Sequence, residues 1–278
     1  MRTTIKLITI IAIALTLFSS CYDDIIITGN NQITEETRQI PAFEQIYSAG
    51  SFNIFYTHAD TVGIRIVCES NLLPYIQTSV FNKKLDISFA THISVSLHQD
   101  IDIYVSSPAV EKIHLAGSGN IVADSLLGND VEIMLSGSGN IYSNFYGDYL
   151  ESSVSGSGKI EIYGECDTLD TSVSGSGTIE LEAPNCSLAK VTISGSGKAE
   201  LTGSADEAVL KILGSGKIKA YEFPVEKADV LIGGSGSIYV NASEYLDAVI
   251  SGSGNIYYIG NPRINYTESG SGRLINEN

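Results

Sequence analysis

An all-β fold, a single-chain parallel β-helix or solenoid, is what the sequence predicts, on three observations. The tripeptide Gly-Ser-Gly occurs nine times, at intervals of 18 to 20 residues. Apolar residues fall on even-numbered positions to either side of each copy, which is the period of a strand. No stretch of ten or more residues sustains a 3.6-residue period, so helix is scarce. A unit of about 19 residues with two short strands cannot bury its apolar face alone, whereas stacked copies can. Each coil then lies ~4.8 Å above the last, and nine coils rise roughly 40 Å. The expected hand is right-handed.

Composition sets outer limits. The chain has 278 residues, 43% of them hydrophobic, enough to build a sizeable core and to exclude a wholly disordered chain. Sixteen Lys and Arg stand against 32 Asp and Glu, a net charge of −16. Nucleic-acid binding is excluded as a leading function, as is polybasic membrane binding, because both need cationic surface.

Residues 1–20 read as a lipoprotein signal peptide. Arg2 and Lys6 precede the apolar run from Leu7 to Phe18, which is shorter than the ~20 residues of a spanning helix. The run ends in Leu17-Phe18-Ser19-Ser20-Cys21, which resembles a bacterial lipobox and makes Cys21 the expected lipidation site. Two or more acyl chains anchor a protein stably. Tyr22, Asp23 and Asp24 follow, resembling the surface-export signal of Bacteroidota lipoproteins. The implied location is the outer membrane, on the cell-surface or the periplasmic side. Residues 21–39, polar apart from Ile25-Ile26-Ile27, read as the lipidated Cys and a tether reaching up to about 60 Å at full extension.

The β-helix domain is expected over 40–278. Residues 40–111 lack the tripeptide but alternate as strands, in Phe52–Tyr56, Gly63–Val67, Lys84–Phe89 and Ile101–Val105, and read as irregular opening coils that cap the stack. Residues 112–278 carry the nine regular repeats. At the far end Glu268 and Asn276 replace inward apolar residues, as a solenoid cap requires.

The repeat glycines are Gly117 and Gly119, Gly137 and Gly139, Gly156 and Gly158, Gly175 and Gly177, Gly195 and Gly197, Gly214 and Gly216, Gly234 and Gly236, Gly252 and Gly254, and Gly270 and Gly272. Parity runs unbroken through the motif, so both glycines are expected inward and the serine outward. Either the corner leaves no room for a Cβ or the turn needs φ > 0. Both readings are open on the sequence.

The block Phe43-Glu44-Gln45-Ile46 leading to Gly50-Ser51-Phe52, the stretch Glu69-Ser70-Asn71-Leu72-Leu73 and the recurring Gly-Ser-Gly-Asn-Ile resemble the putative auto-transporter adhesin head GIN domain family, a domain of unknown function. The resemblance runs from about residue 40 to the end. It implies an exported protein shaped like an adhesin head.

Chemistry is sparse. Cys166 and Cys186 each lie nine residues before a tripeptide, in adjacent coils, and so are a possible disulfide or a buried thiol pair. No Cys or His spacing suggests zinc, and the calcium nonapeptide repeat fails because its Asp slot holds Asn, Lys, Thr, Ser or Arg; no metal and no cofactor are expected. His58, His92, His98 and His114 fall in no triad or metal spacing. No Gly-x-Ser-x-Gly nucleophile elbow occurs; Ser157 in Ser155-Gly156-Ser157-Gly158 has the letters of a strained turn, but the motif recurs nine times without His or Asp partners. No catalytic residue is expected.

The outward slot five residues after each first glycine carries Tyr142, Glu161, Glu180, Glu200, Tyr239 and Tyr257. The three glutamates can form a calcium site, an acid–base set or a solvated face. The tyrosines, with apolar area and a polar tip, suit recognition or cover loop seams. The leading reading is a lipid-anchored, adhesin-like binding or scaffold module without catalysis. Its expected partners are the membrane, through the anchor, and a glycan or another envelope protein. The alternative is a polysaccharide lyase or hydrolase on the same scaffold.

Overall fold

A computed structural model of the protein describes residues 25–278. The expected leader and the Cys21 lipidation site lie outside the described residues. The fold is a parallel β-solenoid of about nine turns. Each coil has one arm before the tripeptide and one after it. Tyr149–Val154 stacks in register on Asp130–Leu135, and Lys159–Glu165 stacks on Asn140–Tyr146. Helical structure among the described residues is one 3-10 turn, Leu73–Tyr75.

The interior is a set of aliphatic columns. Leu115, Leu135, Val154, Val173, Ile193, Ile212, Ile232 and Ile250 form one, and Ile121, Ile141, Ile160, Ile179, Ala199, Ile218, Ile238 and Ile256 another; all are buried. Each fully buried side chain of this size contributes about 1.5–3 kcal/mol. Among the buried hydroxyls, Ser152 and Thr171 meet across coils at 2.8 Å and Ser107 donates to the Phe43 carbonyl at 2.7 Å, whereas Ser48 Oγ has no partner among the described residues.

The tripeptide forms the corner between the arms, and here one expectation is corrected. The second glycine is buried and the serine exposed, but the first glycine is only half-buried in the inner copies, because it lies on the bend itself. Close vertical approach is the general reason for glycine. The carbonyl of Gly137 accepts N–H groups from both Ser157 and Gly158 of the coil above, each at 3.1 Å. A Cβ on Gly158 would penetrate the Gly139 carbonyl oxygen and come within 2.6 Å of Leu135 Cδ2. Positive φ is confined to three of the copies, at Gly175, Gly252 and Gly270.

Gly50-Ser51-Phe52 is a hidden earlier corner of the same kind. Gly117 and Gly119 sit directly on Gly50 and Phe52, so closely that a Cβ on either would collide with the backbone below. Phe52 is tolerated because it packs down onto Phe89, with ring centroids 4.5 Å apart. Between 40 and 111 the coils are therefore not stacked in chain order. Gln45–Ala49 and Phe52–His58 make the first coil. The chain then runs beneath it, placing Lys84–Phe89 and Ile101–Ser107 below, and climbs back at Lys112.

The base is closed by antiparallel strands. Gly63–Glu69 pairs with Ile101–Ser107, Ile33–Arg38 pairs with Gly63–Glu69, and Ile76–Phe81 folds back on Lys84–Phe89. This change of direction protects what would otherwise be an open edge. It also overturns the tether over most of its length. Ile25–Thr28 is a strand parallel to Ile93–Ser96, and Ile33–Arg38 is part of the sheet, because their backbone groups complete the base.

The Glu69-Ser70-Asn71 stretch fastens that N-terminal segment. The Glu69 carboxylate is wholly buried and accepts the N–H groups of Asn31 at 2.6 Å and His98 at 3.1 Å. Gly29 lies so close against it that no Cβ fits. Asn71 donates to the Thr28 carbonyl at 2.8 Å, and Asn30 donates to Ser70 Oγ at 2.9 Å. Burial pushes the Glu69 pKa up, but the backbone N–H groups of Asn31, His98 and Gln99 outweigh it and hold the carboxyl below its usual value.

A carboxylate depressed in the fold stabilises above its unfolded pKa and loses that contribution as pH falls through the folded one. Acidification below about pH 4 should therefore release the base first. The expected result is a loss of amide protection over residues 25–38, corrected for intrinsic exchange, while the repeats stay protected. Glu69→Gln should already exchange rapidly there at neutral pH. Equal protection in the variant and the native chain at neutral pH would refute the fastening role.

At the opposite end, Glu268 lies over Ile250 and is exposed, with the Tyr266 hydroxyl donating to its carboxylate. A polar last turn thus covers the apolar column.

Candidate functional site

The sheet after the corner presents outward columns. The slot three residues after the first glycine begins as an amide ladder. Asn140 donates to Asn120 and Asn120 to Asn53, each at 2.9 Å, and Asn53 donates to Asp102 at 3.1 Å. Lys159 ends that ladder, and lysines recur above it at Lys198 and Lys217.

The next outward column unites all six residues singled out above. Tyr142 lies under Glu161, then Glu180, Glu200, Lys219, Tyr239 and Tyr257 in unbroken register. Lysines of the neighbouring column neutralise the glutamates. Lys159 Nζ lies 2.9 Å from Glu161 and 2.8 Å from Glu180. Glu200 pairs with Lys198 and stands 3.7 Å from Lys219. Hydrogen bonds that Lys159 donates to Glu180 and Glu161 hold it above the usual lysine range, and the hydrogen bond that Lys198 donates to Glu200 holds that carboxyl below the carboxylate range. Both groups are locked in their charged forms. Glu200 thus lacks the raised pKa of a general acid.

Higher up the column turns aromatic. Tyr239 and Tyr257 stack with centroids 4.7 Å apart and planes 8° from parallel. Tyr221, from the third outward column, meets Tyr239 edge-on at 5.4 Å. Its hydroxyl donates to Glu277 at 2.7 Å, and burial together with that bond pushes its pKa up.

These columns line a trough in two contiguous parts. The lower, of about 330 Å³, runs between Tyr142 and Glu200, with Tyr163 and Glu182 at its side. The upper, of about 430 Å³, runs between Glu200 and Tyr239. The coils vary in length because they slip register at the corner beyond the trough, as between Ala183 and Cys186 or between Ala220 and Pro224, so the columns stay straight. Among the described residues no group of three or more His, Cys, Asp or Glu is placed to hold a metal ion.

Reading the slot five residues on from the glycine found one column. That column includes Lys219, but not the partners Lys159, Lys198 and Lys217, nor the side wall of Tyr163, Thr202 and Tyr221. The first two lysines and Lys217 were legible as a slot of their own. Tyr258, next to Tyr257 and six residues after Gly252, points inward and is buried.

Cys166 and Cys186 do meet. Their sulfurs are 3.5 Å apart, both buried, and both thiols are free. They lie at the corner where the register slips, on the side of the coil away from the tripeptide.

Fold and face together define a β-solenoid protein with a ridged, charge-balanced outer sheet. The chain belongs to the family described as putative auto-transporter adhesin, head GIN domain, whose model matches residues 42–202 and again 178–262. That adhesin-like family points to the cell surface or envelope. Among solved structures the chain is similar to a putative lipid binding protein from Parabacteroides distasonis, at 25% identity and a TM-score of 0.71, covering 91% of this chain and 100% of that one. It is also similar to a putative adhesin from Parabacteroides merdae, at 24% identity and a TM-score of 0.73, covering 92% and 100%. A putative adhesin from Parabacteroides distasonis shares the fold at 20% identity and a TM-score of 0.68, covering 91% and 100%. No curated protein matches the chain.

Proposed function

We propose that the protein is a lipid-anchored envelope adhesin or scaffold that recognises its partner along the trough, without catalysis. The observation that carries this reading is the single column from Tyr142 to Tyr257, whose carboxylates are each tied to a lysine. A face built this way offers aromatic surface and fixed charges for binding. The carboxylates of the column are engaged by lysines rather than set as the acid and nucleophile or base pair that a glycosidase needs.

Cys21 lies four residues before the strand Ile25–Thr28, a reach of about 13 Å. With Glu69 fastening the segment, the solenoid stands directly on the outer membrane rather than on a long tether. Ile25 and Ile26, 62% and 70% exposed, lie at that base.

The test has two arms. Cells or beads displaying the chain should adhere to surfaces bearing envelope or host glycans, and Tyr142→Ala with Tyr239→Ala should reduce adherence several-fold without loss of fold. Incubation with acidic and neutral polysaccharides should release no new reducing ends or unsaturated products. Release that disappears in Glu180→Gln would replace this reading with the enzymatic one.

A further inference from the structure

We infer that the upper part of the trough, beneath Tyr239, is a binding site for an acidic saccharide: a sugar ring carrying a carboxylate. The inference deepens the recognition reading above and rests on it. Three features of the cavity point the same way.

Its size comes first. At about 430 Å³ the cavity falls within the range of small-ligand sites. Its roof is the Tyr239 ring, whose other face is already stacked on Tyr257, so one aromatic face is left toward the cavity. Tyr221 forms the side wall and Thr202 adds a hydroxyl. Flat C–H faces of sugar rings pack on such aromatic faces, while hydroxyls along the wall orient them.

Charge supplies the second feature. Lower on the face each lysine is consumed by a glutamate, with Lys159 shared between two of them. The lower part is lined by glutamates and no lysine, whereas the upper cavity is lined by two of each. Glu200 is held by Lys198, and Lys219 reaches it only at 3.7 Å. Lys217 has no carboxylate partner among the described residues; its ammonium lies 5.7 Å from the centroid of Tyr239. Glu222 also lines the cavity. Lys217 and Lys219 therefore face Glu200 and Glu222, a charge-balanced lining in a chain of net charge −16, with Lys217 the ammonium that no carboxylate holds.

Position is the third. The Lys217 ammonium lies over the Tyr239 face that borders the cavity, at a distance that leaves it free to turn to a carboxylate, so one ligand reaches both. A carboxylate on the sugar ring would accept from Lys217, with Lys219 beside it, while the ring lies under Tyr239. A neutral sugar would use only the aromatic half.

Calorimetric titration of the full chain with a galacturonate trimer and with the matching neutral galactose trimer tests this. The acidic trimer should bind, and binding should weaken as salt rises. Lys217→Gln should weaken it by about tenfold or more, the loss of one charge-assisted hydrogen bond, whereas Lys217→Arg should retain most of it. Lys190→Gln, exposed on the other arm of the coil, should leave affinity unchanged. No binding of the acidic trimer, equal binding of the neutral one, or full affinity in Lys217→Gln overturns the site. A Lys217→Gln chain that still adheres to surfaces, with no galacturonate binding even by the native chain, would sink the acidic ligand and leave the adhesin reading standing.

Discussion

Gly158→Ala is expected to destabilise the chain by about 3 kcal/mol or more, an overpacking cost at the upper end of its class. The added methyl group would overlap the Gly139 carbonyl oxygen and approach Leu135 Cδ2 to 2.6 Å. The leucine can rotate, but the carbonyl cannot, because it is part of the corner backbone that the next coil hydrogen-bonds, with Lys159 N–H donating to it at 3.1 Å. Relief requires the two coils to separate at the corner, which breaks the ladder on both arms. In a solenoid each coil is stabilised mainly by its neighbours, so a broken interface in the middle weakens coupling between the halves. Denaturant unfolding should show a lower midpoint and a loss of cooperativity. Ser157→Ala, one residue away and exposed, should stay within about 0.5 kcal/mol of the native chain. Equal stability of the two variants would refute close vertical stacking as the reason for glycine.

The second large effect concerns the thiols. Treating the folded chain with diamide, a thiol oxidant, should join Cys166 to Cys186. Each sulfur loses a proton, the pair gives up two electrons to diamide, and an S–S bond forms. Closing this 20-residue loop should stabilise the oxidised chain by about 3 kcal/mol on the loop-entropy estimate. Oxidation should be slow at neutral pH. Both sulfurs are buried, which limits access of the oxidant to the thiolate, the reactive form. Mass spectrometry after alkylation should find Cys68 alkylated only on unfolding and the other two cysteines protected after diamide. Failure to link them in the folded chain, with ready alkylation of both, would show that the pair cannot reach disulfide geometry.

Much of this architecture was legible because the coil length is nearly constant. A fixed period converts sequence offset into height, and parity converts it into inside or outside. That is why Leu115 to Ile250 could be read as one buried column and Tyr142 to Tyr257 as one exposed one. The same arithmetic brought Cys166 to Cys186. It failed where the period lapses. Ile25–Thr28 and Ile33–Arg38 look like a polar linker because their partners, Ile93–Ser96 and Gly63–Glu69, are distant in sequence and, in the second case, antiparallel. Gly50-Ser51-Phe52 escaped notice as a corner because a phenylalanine stands in the second slot.

The site was half legible for a related reason. The slot of Glu161, Glu180 and Glu200, read alone, is a ladder of like charges. Whether it is costly, metal-binding or neutral depends on which side chains of the adjacent slot lean across. Lys159 bridges upward to Glu180, whereas Lys219 reaches down to Glu200. Rotamers and coil-to-coil spacing set those choices, and no periodicity encodes them.

By itself, then, the sequence determined that the chain winds as parallel coils around aliphatic columns, since local alternation and a constant repeat are both written in linear order. Only the tertiary structure decided why the corners exclude a Cβ, how the base closes, and where an aromatic roof meets an unpaired ammonium. Those features are contacts between coils, and distance across coils is a property of the packed backbone rather than of residue order.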